Sequence, residues 1–455
     1  MKIYPILLVI PVLTALSAAT SQSELSRFAG AIPCSNFLNI NLDFVQGFYF
    51  GKDQQILAAN YFTPKPYLPP VDTTTYLKRL ADALRSRGIL PVVAITPPPG
   101  FAFIKQLDKE LVKGTIFEKF SYESDRTLRA IKNSYLKTLE PFERAGFETV
   151  NLLEAMEQYK LKYPDKSLYF KHDSHWHPDG AQGAAIGVYK TLLNKFPNLV
   201  NSVKNGEFKV TVKEVIQRTT SGGWDGVIRI FCPNQTLFPE PFPVLELKNL
   251  SQQTLLDSTD SDIVLVGTSY SSNPPEFGFA PYLSESFGTD VLNASINGGG
   301  PLGSILRYFS NTEAVQPKIL IWETPNVTIP SWDYNPLSQV MFRQLLPVFS
   351  KKNTLLDSQE IPLQKEISLN LDWRKISSSN FLKITFDKFA TRKLDITLVQ
   401  KNNTETFMLK KTNGAGKELS IYYFELNSPM VLNEIKIKTD GDIGNLKLEF
   451  FKYEK

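Results

Sequence analysis

All three histidines of the 455-residue chain fall within six positions, in the run Lys171-His172-Asp173-Ser174-His175-Trp176-His177-Pro178-Asp179-Gly180. Histidine is the side chain whose unperturbed pKa lies nearest neutrality, so it is the usual proton carrier in catalysis. A chain that keeps its whole supply beside two aspartates points to that segment as its reactive centre. Asp173-x-His175-Trp176 is the pattern with a mechanism: a carboxylate two residues from a histidine can orient the ring and stabilise the imidazolium that forms. Positions i and i+2 do not face each other on a helix, so the pair requires a loop or an irregular turn. His172, His177 and Asp179 read as surface or supporting residues. Asp173, His175 and His177 also have the donor types of a zinc site, but no distant fourth ligand is suggested.

A hydroxyl partner is offered by Val264-Leu265-Val266-Gly267-Thr268-Ser269-Tyr270-Ser271. A serine after a strand and a glycine sits at the carboxyl end of the strand, where open α/β sheets place their sites. The other reading of the same residues is a helix cap. Ser269 satisfies both, and Ser271 is the competing nucleophile. A third run, Asn293-Ala294-Ser295-Ile296-Asn297-Gly298-Gly299-Gly300, lets backbone approach a substrate closely. Its free N–H groups can hold a developing oxyanion. It lacks the Lys-Ser/Thr ending of a phosphate-binding loop.

These residues need a scaffold. Thr74, Tyr76, Leu77, Leu80 and Leu84 have helical spacing and end near Gly88. The run 89–95 is then short and apolar, as in a buried parallel strand. A polar helix follows across about 122–144, a strand at 147–152, and a helix from Ala181 to Phe196. Residues 205–260 are mixed and rich in turn signals. Apolar runs return at 262–267, 289–293 and 318–323. Such runs separated by helices predict a parallel sheet covered on both faces. From about 352 the pattern changes to period two, at 367–373, 382–386, 394–398 and 435–438, with a turn at Asn413-Gly414. That reads as an antiparallel β-sandwich. The expected organisation is residues 1–19 as a leader, 20–350 as the α/β domain and 351–455 as the sandwich.

The composition, 42% hydrophobic and 21% charged, is that of a globular protein. Lys2, the apolar stretch Ile3 to Leu16 and Ser17-Ala18-Ala19 read as a secretory signal cleaved after about Ala19. The alternative is an anchoring helix, but the stretch is short for a bilayer and holds Pro5 and Pro11. In an exported protein the isolated pair Cys34 and Cys232 is expected to form a disulfide. The net charge of +4 is unevenly placed: residues 351–455 hold 18 Lys and Arg against 14 Asp and Glu, and the first 350 hold 32 of each. A basic sandwich suits an anionic polymer.

Asn293-Ala294-Ser295-Ile296-Asn297-Gly298 resembles the second block of the SGNH hydrolases, whose glycine N–H helps form the oxyanion hole. Gly267-Thr268-Ser269 stands where those enzymes carry Gly-Asp-Ser. Glu323-Thr324-Pro325-Asn326 stands where they carry Gly-x-Asn-Asp, with proline in place of glycine. Typical members put the histidine motif after the serine. Here Asp173-Ser174-His175-Trp176, followed by Pro178-Asp179-Gly180-Ala181, precedes it. That permuted order is similar to the alginate O-acetyltransferases AlgX and AlgJ, and with the signal and the sandwich the resemblance to AlgX covers nearly the whole chain.

The resemblance implies an SGNH-like parallel sheet with helices on both faces and a C-terminal all-β, carbohydrate-binding-like sandwich. It implies a catalytic triad of Ser269, His175 and Asp173, and oxyanion donors on Ser269, Gly298 and Asn326. It also agrees with the pairing of Cys34 with Cys232. The reaction would be transfer of acetyl groups in the periplasm to an acidic exopolysaccharide, with neither cofactor nor metal. Acetyl would be supplied by membrane or periplasmic partner proteins of an export complex; nucleic acid is not an expected partner. Trp176 and Tyr270 beside the triad, and Trp373, Arg374 and Lys375 in the sandwich, are the candidate substrate contacts: aromatic faces stack on sugar rings and cations meet uronate carboxylates. Two other functions fit the same residues, an acetyl esterase and a non-catalytic polysaccharide-binding scaffold.

Overall fold

A computed structural model describes residues 37–38, 48–50 and 56–453, except 111, 114, 116, 219–238, 252–260, 273–276, 301, 312–313, 330–335 and short stretches between the C-terminal strands. The expected leader, both cysteines, Trp373, Arg374 and the Asn413-Gly414 turn lie outside the described residues.

Five strands form the central sheet: β1 (Leu90–Thr96), β2 (Glu148–Thr149), β3 (Ile263–Val266), β4 (Val291–Asn293) and β5 (Ile319–Pro325). They lie in the order β2-β1-β5-β3-β4, and every pair is parallel. β1, β3 and β5 are buried along their whole length. This is why each opens as a near-continuous apolar run and not as an alternating one.

Two sets of helices cover the sheet. One set is α1 (Val71–Ser86), α2 (Ser124–Ala145), α7 (Gly303–Ser310) and α8 (Pro336–Val348); the other is α3 (Leu152–Lys162), α4 (Pro178–Lys195) and α6 (Phe279–Phe287). The single-turn helix α5 (Ser269–Ser272) follows β3 directly. In α1, Leu77, Leu80, Ala81 and Leu84 are buried at i, i+3, i+4 and i+7, one stripe facing the sheet. α2 stops at Gly146, whose φ of 98° lets its N–H turn back onto the carbonyls of Phe142 and Glu143. Sequence periodicity located α1, α2, α4, β1, β3, β4 and β5 within a few residues; it gave no range for α3, α6, α7 and α8, and of the strand expected at 147–152 only Glu148–Thr149 forms.

The turn-rich region 205–260 instead contains a long antiparallel ribbon, Phe208–Arg218 paired with Glu240–Asn249. Pro241 and Pro243 lie inside its second strand, and Val212 and Val215 are exposed. Prolines and exposed apolar residues hide a strand from pattern reading, and two-stranded ribbons tolerate both because each strand has a free edge.

The C-terminal region is two antiparallel sheets. Its strands are β6 (Asn353–Pro362), β7 (Glu366–Asn370), β8 (Asn380–Phe386), β9 (Lys393–Gln400), β10 (Thr404–Lys410), β11 (Ile421–Leu426), β12 (Met430–Thr439) and β13 (Asn445–Tyr453). One sheet runs β6-β13-β8-β11, the other β7-β12-β9-β10. Alternate residues point inward: Leu382, Ile384 and Phe386 from one sheet share a core with Leu394, Ile396, Leu398, Ile435 and Ile437 from the other. α8 serves both cores. Its Val340 is buried with the sandwich, and its Phe342, Leu345 and Leu346 with the α/β core.

Candidate active site

The histidine segment is a tight antiparallel excursion, not a helix. Phe170 N–H donates to the His175 carbonyl (3.2 Å), and His177 N–H donates to the Leu168 carbonyl (3.0 Å). The tip, His172 to Ser174, therefore places Asp173 and His175 on one side. His177 ends the excursion as the N-cap of α4, with Pro178 at the first helical position. Gly180 is required there, because a Cβ would sit 2.1 Å from the Leu168 carbonyl oxygen. The Tyr169 hydroxyl donates to the Pro97 carbonyl (2.8 Å), tying the excursion to the carboxyl end of β1.

At that end of the sheet the candidate triad converges. Asp173 Oδ1 lies 2.6 Å from His175 Nδ1 and also accepts the His175 backbone N–H at 3.1 Å. His175 Nε2 lies 2.8 Å from Ser269 Oγ. Asp173 and His175 are buried, so the charge they share is poorly screened by water. Two crosslinks weld the two loops together. Trp176 Nε1–H donates to the Tyr270 carbonyl (2.9 Å), and the Tyr270 hydroxyl donates to the Ser174 carbonyl (2.8 Å). Burial pushes the Tyr270 phenol far above its ordinary range, with the nearby Asp173 charge adding to the effect. It stays a neutral donor.

These bonds correct two expectations. Trp176 is fully buried and has no face to offer a sugar. Its ring packs on Tyr270 and Phe279, and its one polar atom braces the turn that carries Ser269. Tyr270 is only 6% exposed and is likewise a brace. The same geometry separates the two serines. Ser271 is fully buried and its hydroxyl donates to Glu323 Oε2 (3.1 Å), whereas Ser269 faces His175.

The glycine loop reaches the same turn through backbone bonds, Ala294 N–H to the Leu265 carbonyl (2.8 Å) and Ile296 N–H to the Gly267 carbonyl (3.1 Å). Gly298 has φ of 70°, and the space around its Cβ position is open. Among the described hydrogen bonds the N–H groups of Ser269 and Gly298 are not engaged. Asn326 is buried at the start of the turn after β5, where its carbonyl accepts Ile329 N–H. No described bond connects its side chain with the triad.

His177 and Asp179 belong to the helix start. His177 Nδ1 accepts Asp179 N–H (3.3 Å), and the Asp179 carboxylate pairs with Lys166 (3.0 Å). Among the described residues no three His, Cys, Asp or Glu side chains are grouped to hold a metal ion. Lys375 lies in a two-residue strand paired with β12 at Val431, away from the α/β sheet.

Sequence reading missed Glu323. It is fully buried at the carboxyl end of β5, and its carboxylate accepts Thr268 N–H (2.8 Å) and the hydroxyls of Thr268 and Ser271 (3.1 Å each). Burial pushes it up to about 7. The available signal was a carboxylate inside an otherwise apolar strand, in Ile319-Leu320-Ile321-Trp322-Glu323.

A family description, "SGNH hydrolase-like domain, acetyltransferase AlgX", matches residues 49–326. The alginate biosynthesis protein AlgX of Pseudomonas aeruginosa is 27% identical over 365 residues, covering 77% of this chain and 71% of that one. The probable alginate O-acetylase AlgJ of Pseudomonas fluorescens is 31% identical over 191 residues, covering 40% of this chain and 45% of that one. The solved structure of Pseudomonas aeruginosa AlgX superposes with a TM-score of 0.71 at 21% identity, over 90% of this chain and 95% of the other. The match is of fold, and it spans both the α/β sheet and the antiparallel region. With its family segment containing Asp173, His175, Ser269 and Gly298, the chain belongs to the AlgX family of SGNH hydrolase-like O-acetyltransferases.

Proposed function

We propose that this protein transfers acetyl groups to hydroxyls of an acidic exopolysaccharide, alginate in the first instance, through an acetyl-Ser269 intermediate. The observation that carries the reading is the continuous path Asp173–His175–Ser269, with contacts of 2.6 and 2.8 Å. Asp173 holds the Nδ1 proton of His175, leaving Nε2 as the base. Ser269 Oγ attacks the acetyl carbonyl of the donor as its proton passes to Nε2. The tetrahedral oxyanion forms beside the N–H groups of Ser269 and Gly298. Its collapse breaks the donor's acyl bond, and the leaving group takes the proton from His175. A sugar hydroxyl then gives its proton to Nε2 and attacks the ester, and Ser269 Oγ recovers the proton as it leaves.

The rest of the reading is the same hypothesis seen from outside the site. The protein would act in the periplasm after export by its N-terminal signal. Partner proteins of the export complex would bring the acetyl group, because cytosolic acetyl-CoA is absent there. The basic sandwich, with Trp373, Arg374 and Lys375, would hold the polymer so that its hydroxyls outcompete water.

Mass spectrometry after incubation with 4-nitrophenyl acetate tests the mechanism. The expected result is one acetyl group on Ser269, passed to added oligouronates and absent from the Ser269→Ala protein. Acetyl appearing only as free acetate makes the protein an esterase. A Ser269→Ala protein that still transfers acetyl rejects the covalent route.

A further inference from the structure

We infer that Glu323 is the positioning residue of the nucleophile turn, holding Ser269 in register with His175 through hydrogen bonds to the residues on either side of it. The inference rests on the reading of Ser269 as nucleophile. α5 has only four residues, too few to hold a helical turn by its own hydrogen bonds. Its own bonds, Ser271 and Ser272 N–H to the Thr268 carbonyl (3.1 and 3.0 Å), are supplemented from outside. From below, Glu323 takes the Thr268 N–H and hydroxyl and the Ser271 hydroxyl. From one side, the Asn293 amide donates to the Ser271 carbonyl (2.9 Å). From the other, Trp176 Nε1–H donates to the Tyr270 carbonyl (2.9 Å). Of the hydroxyls of Thr268, Ser269 and Ser271, only that of Ser269 faces the imidazole, the other two being turned to Glu323.

Gly267 belongs to the same device. A Cβ there would lie 2.5 Å from Glu323 Oε2 and 3.0 Å from Glu323 Cβ. The glycine that precedes the turn is thus explained by the carboxylate packed against it. Glu323 touches neither Ser269 nor His175 in any described contact, so its effect passes through the turn. Thr268 and Ser271 present hydroxyls, which can donate or accept. A glutamine can therefore reproduce the three bonds, its carbonyl at the Oε2 position accepting Thr268 N–H and the Ser271 hydroxyl, and its amide at the Oε1 position donating to the Thr268 hydroxyl. An alanine can reproduce none.

The test uses the full chain and 4-nitrophenyl acetate turnover, with melting curves on every variant. For Glu323→Ala, kcat is expected to fall about 30- to 100-fold with KM within about threefold, since a nucleophile displaced by about 1 Å loses rate without losing substrate binding. Glu323→Gln is expected to stay within about threefold of wild type in both constants. Glu323→Asp, which keeps the acid and shortens the reach by one methylene, covers the case in which Glu323→Ala does not fold. It is expected to show the same selective loss of kcat. A folded Glu323→Ala or Glu323→Asp protein with wild-type kcat overturns the inference, as does a Glu323→Gln protein that melts like wild type but is as slow as Glu323→Ala. Ser269→Ala, run beside them, separates the two claims: residual turnover there overturns the nucleophile assignment, while an inactive Ser269→Ala with a fully active Glu323→Ala overturns only the role of Glu323.

Discussion

Replacing Asp173 by asparagine separates the geometry of the triad from its charge. Asp173 Oδ1 now accepts two bonds, from His175 Nδ1–H (2.6 Å) and from the His175 backbone N–H (3.1 Å). Because both bonds reach that one oxygen, an asparagine whose carbonyl takes its place keeps them and removes only the charge, whereas one whose amide takes it presents a donor to Nδ1. Set against Nδ1, it selects the tautomer that carries the proton on Nε2. That nitrogen, 2.8 Å from Ser269 Oγ, then has no lone pair for the serine proton. The buried imidazolium also loses its counter-charge. The same change in serine-protease triads lowers kcat by about 10⁴. We expect about 10³- to 10⁴-fold here, or ~4–5.5 kcal/mol of barrier at 1.36 kcal/mol per decade. Because at most one hydrogen bond is given up, worth about 1 kcal/mol, the melting temperature should move by less than about 4 °C. Release of 4-nitrophenolate from 4-nitrophenyl acetate measures the first quantity and a thermal melt the second. A folded Asp173→Asn protein within tenfold of wild-type kcat would mean that His175 is not the base, or that another group sets its tautomer.

Two further outcomes follow from Glu323 and its neighbours. Gly267→Ala forces a methyl into the Glu323 carboxylate, and should cost about 1–3 kcal/mol of stability and lower kcat with KM unchanged; a variant matching wild type in melting temperature and turnover contradicts the contact. A carboxyl whose folded-state value is raised from 4.5 to about 7 contributes stability that is fully present below pH about 4.5 and is lost as the pH climbs through 7, because the folded state holds the extra proton. Relative to Glu323→Gln, wild type should therefore weaken by up to about 3 kcal/mol across that window and level off above it. Denaturant midpoints of the two proteins at pH 4.5 to 8 measure the difference, and a difference that does not change with pH contradicts the shift.

How much of this was legible depended on what each residue does physically. β1, β3 and β5 could be read because strands buried on both faces are apolar over most of their length. The sandwich could be read because its strands have one face in the core, giving Leu394, Ile396 and Leu398 their alternation. The pairing of Asp173 with His175 could be read from the number of bonds between them, and their approach to Ser269 from the resemblance of the motifs. Packing roles could not. Trp176 beside a candidate catalytic pair looks like a substrate platform until the indole N–H is seen to hold the Tyr270 carbonyl. Ser269 and Ser271 differ only in direction, which two positions of a single turn do not encode locally. Glu323 is invisible for the opposite reason. It lies 52 and 55 residues from its partners, Ser271 and Thr268, and only the adjacency of β5 and β3 makes them neighbours.

That adjacency also explains why the motif order along the chain is of little physical consequence. A triad needs three side chains to meet at the carboxyl ends of parallel strands, and any loop that reaches this edge can deliver one. Here His175 arrives from an excursion pinned to β1 by Tyr169, while Ser269 arrives from β3. The sandwich is attached by an equally specific device. Glu425 of β11 is fully buried, and its carboxylate receives both terminal nitrogens of Arg79 from α1. Arg343 of α8 donates from Nε to the Glu425 carbonyl (2.8 Å), and its guanidinium lies 4.3 and 4.2 Å from the ring centres of Phe407 and Phe424. A buried charge with ion-pair and aromatic partners fixes orientation more than it adds stability, since removing one partner strands the other away from water. The two cores are thus joined by charges whose directions are set, as well as by the apolar faces of α8. On the function proposed above, a polymer held by the sandwich would meet the α/β sheet at a defined angle, which would help a sugar hydroxyl outcompete water at Ser269.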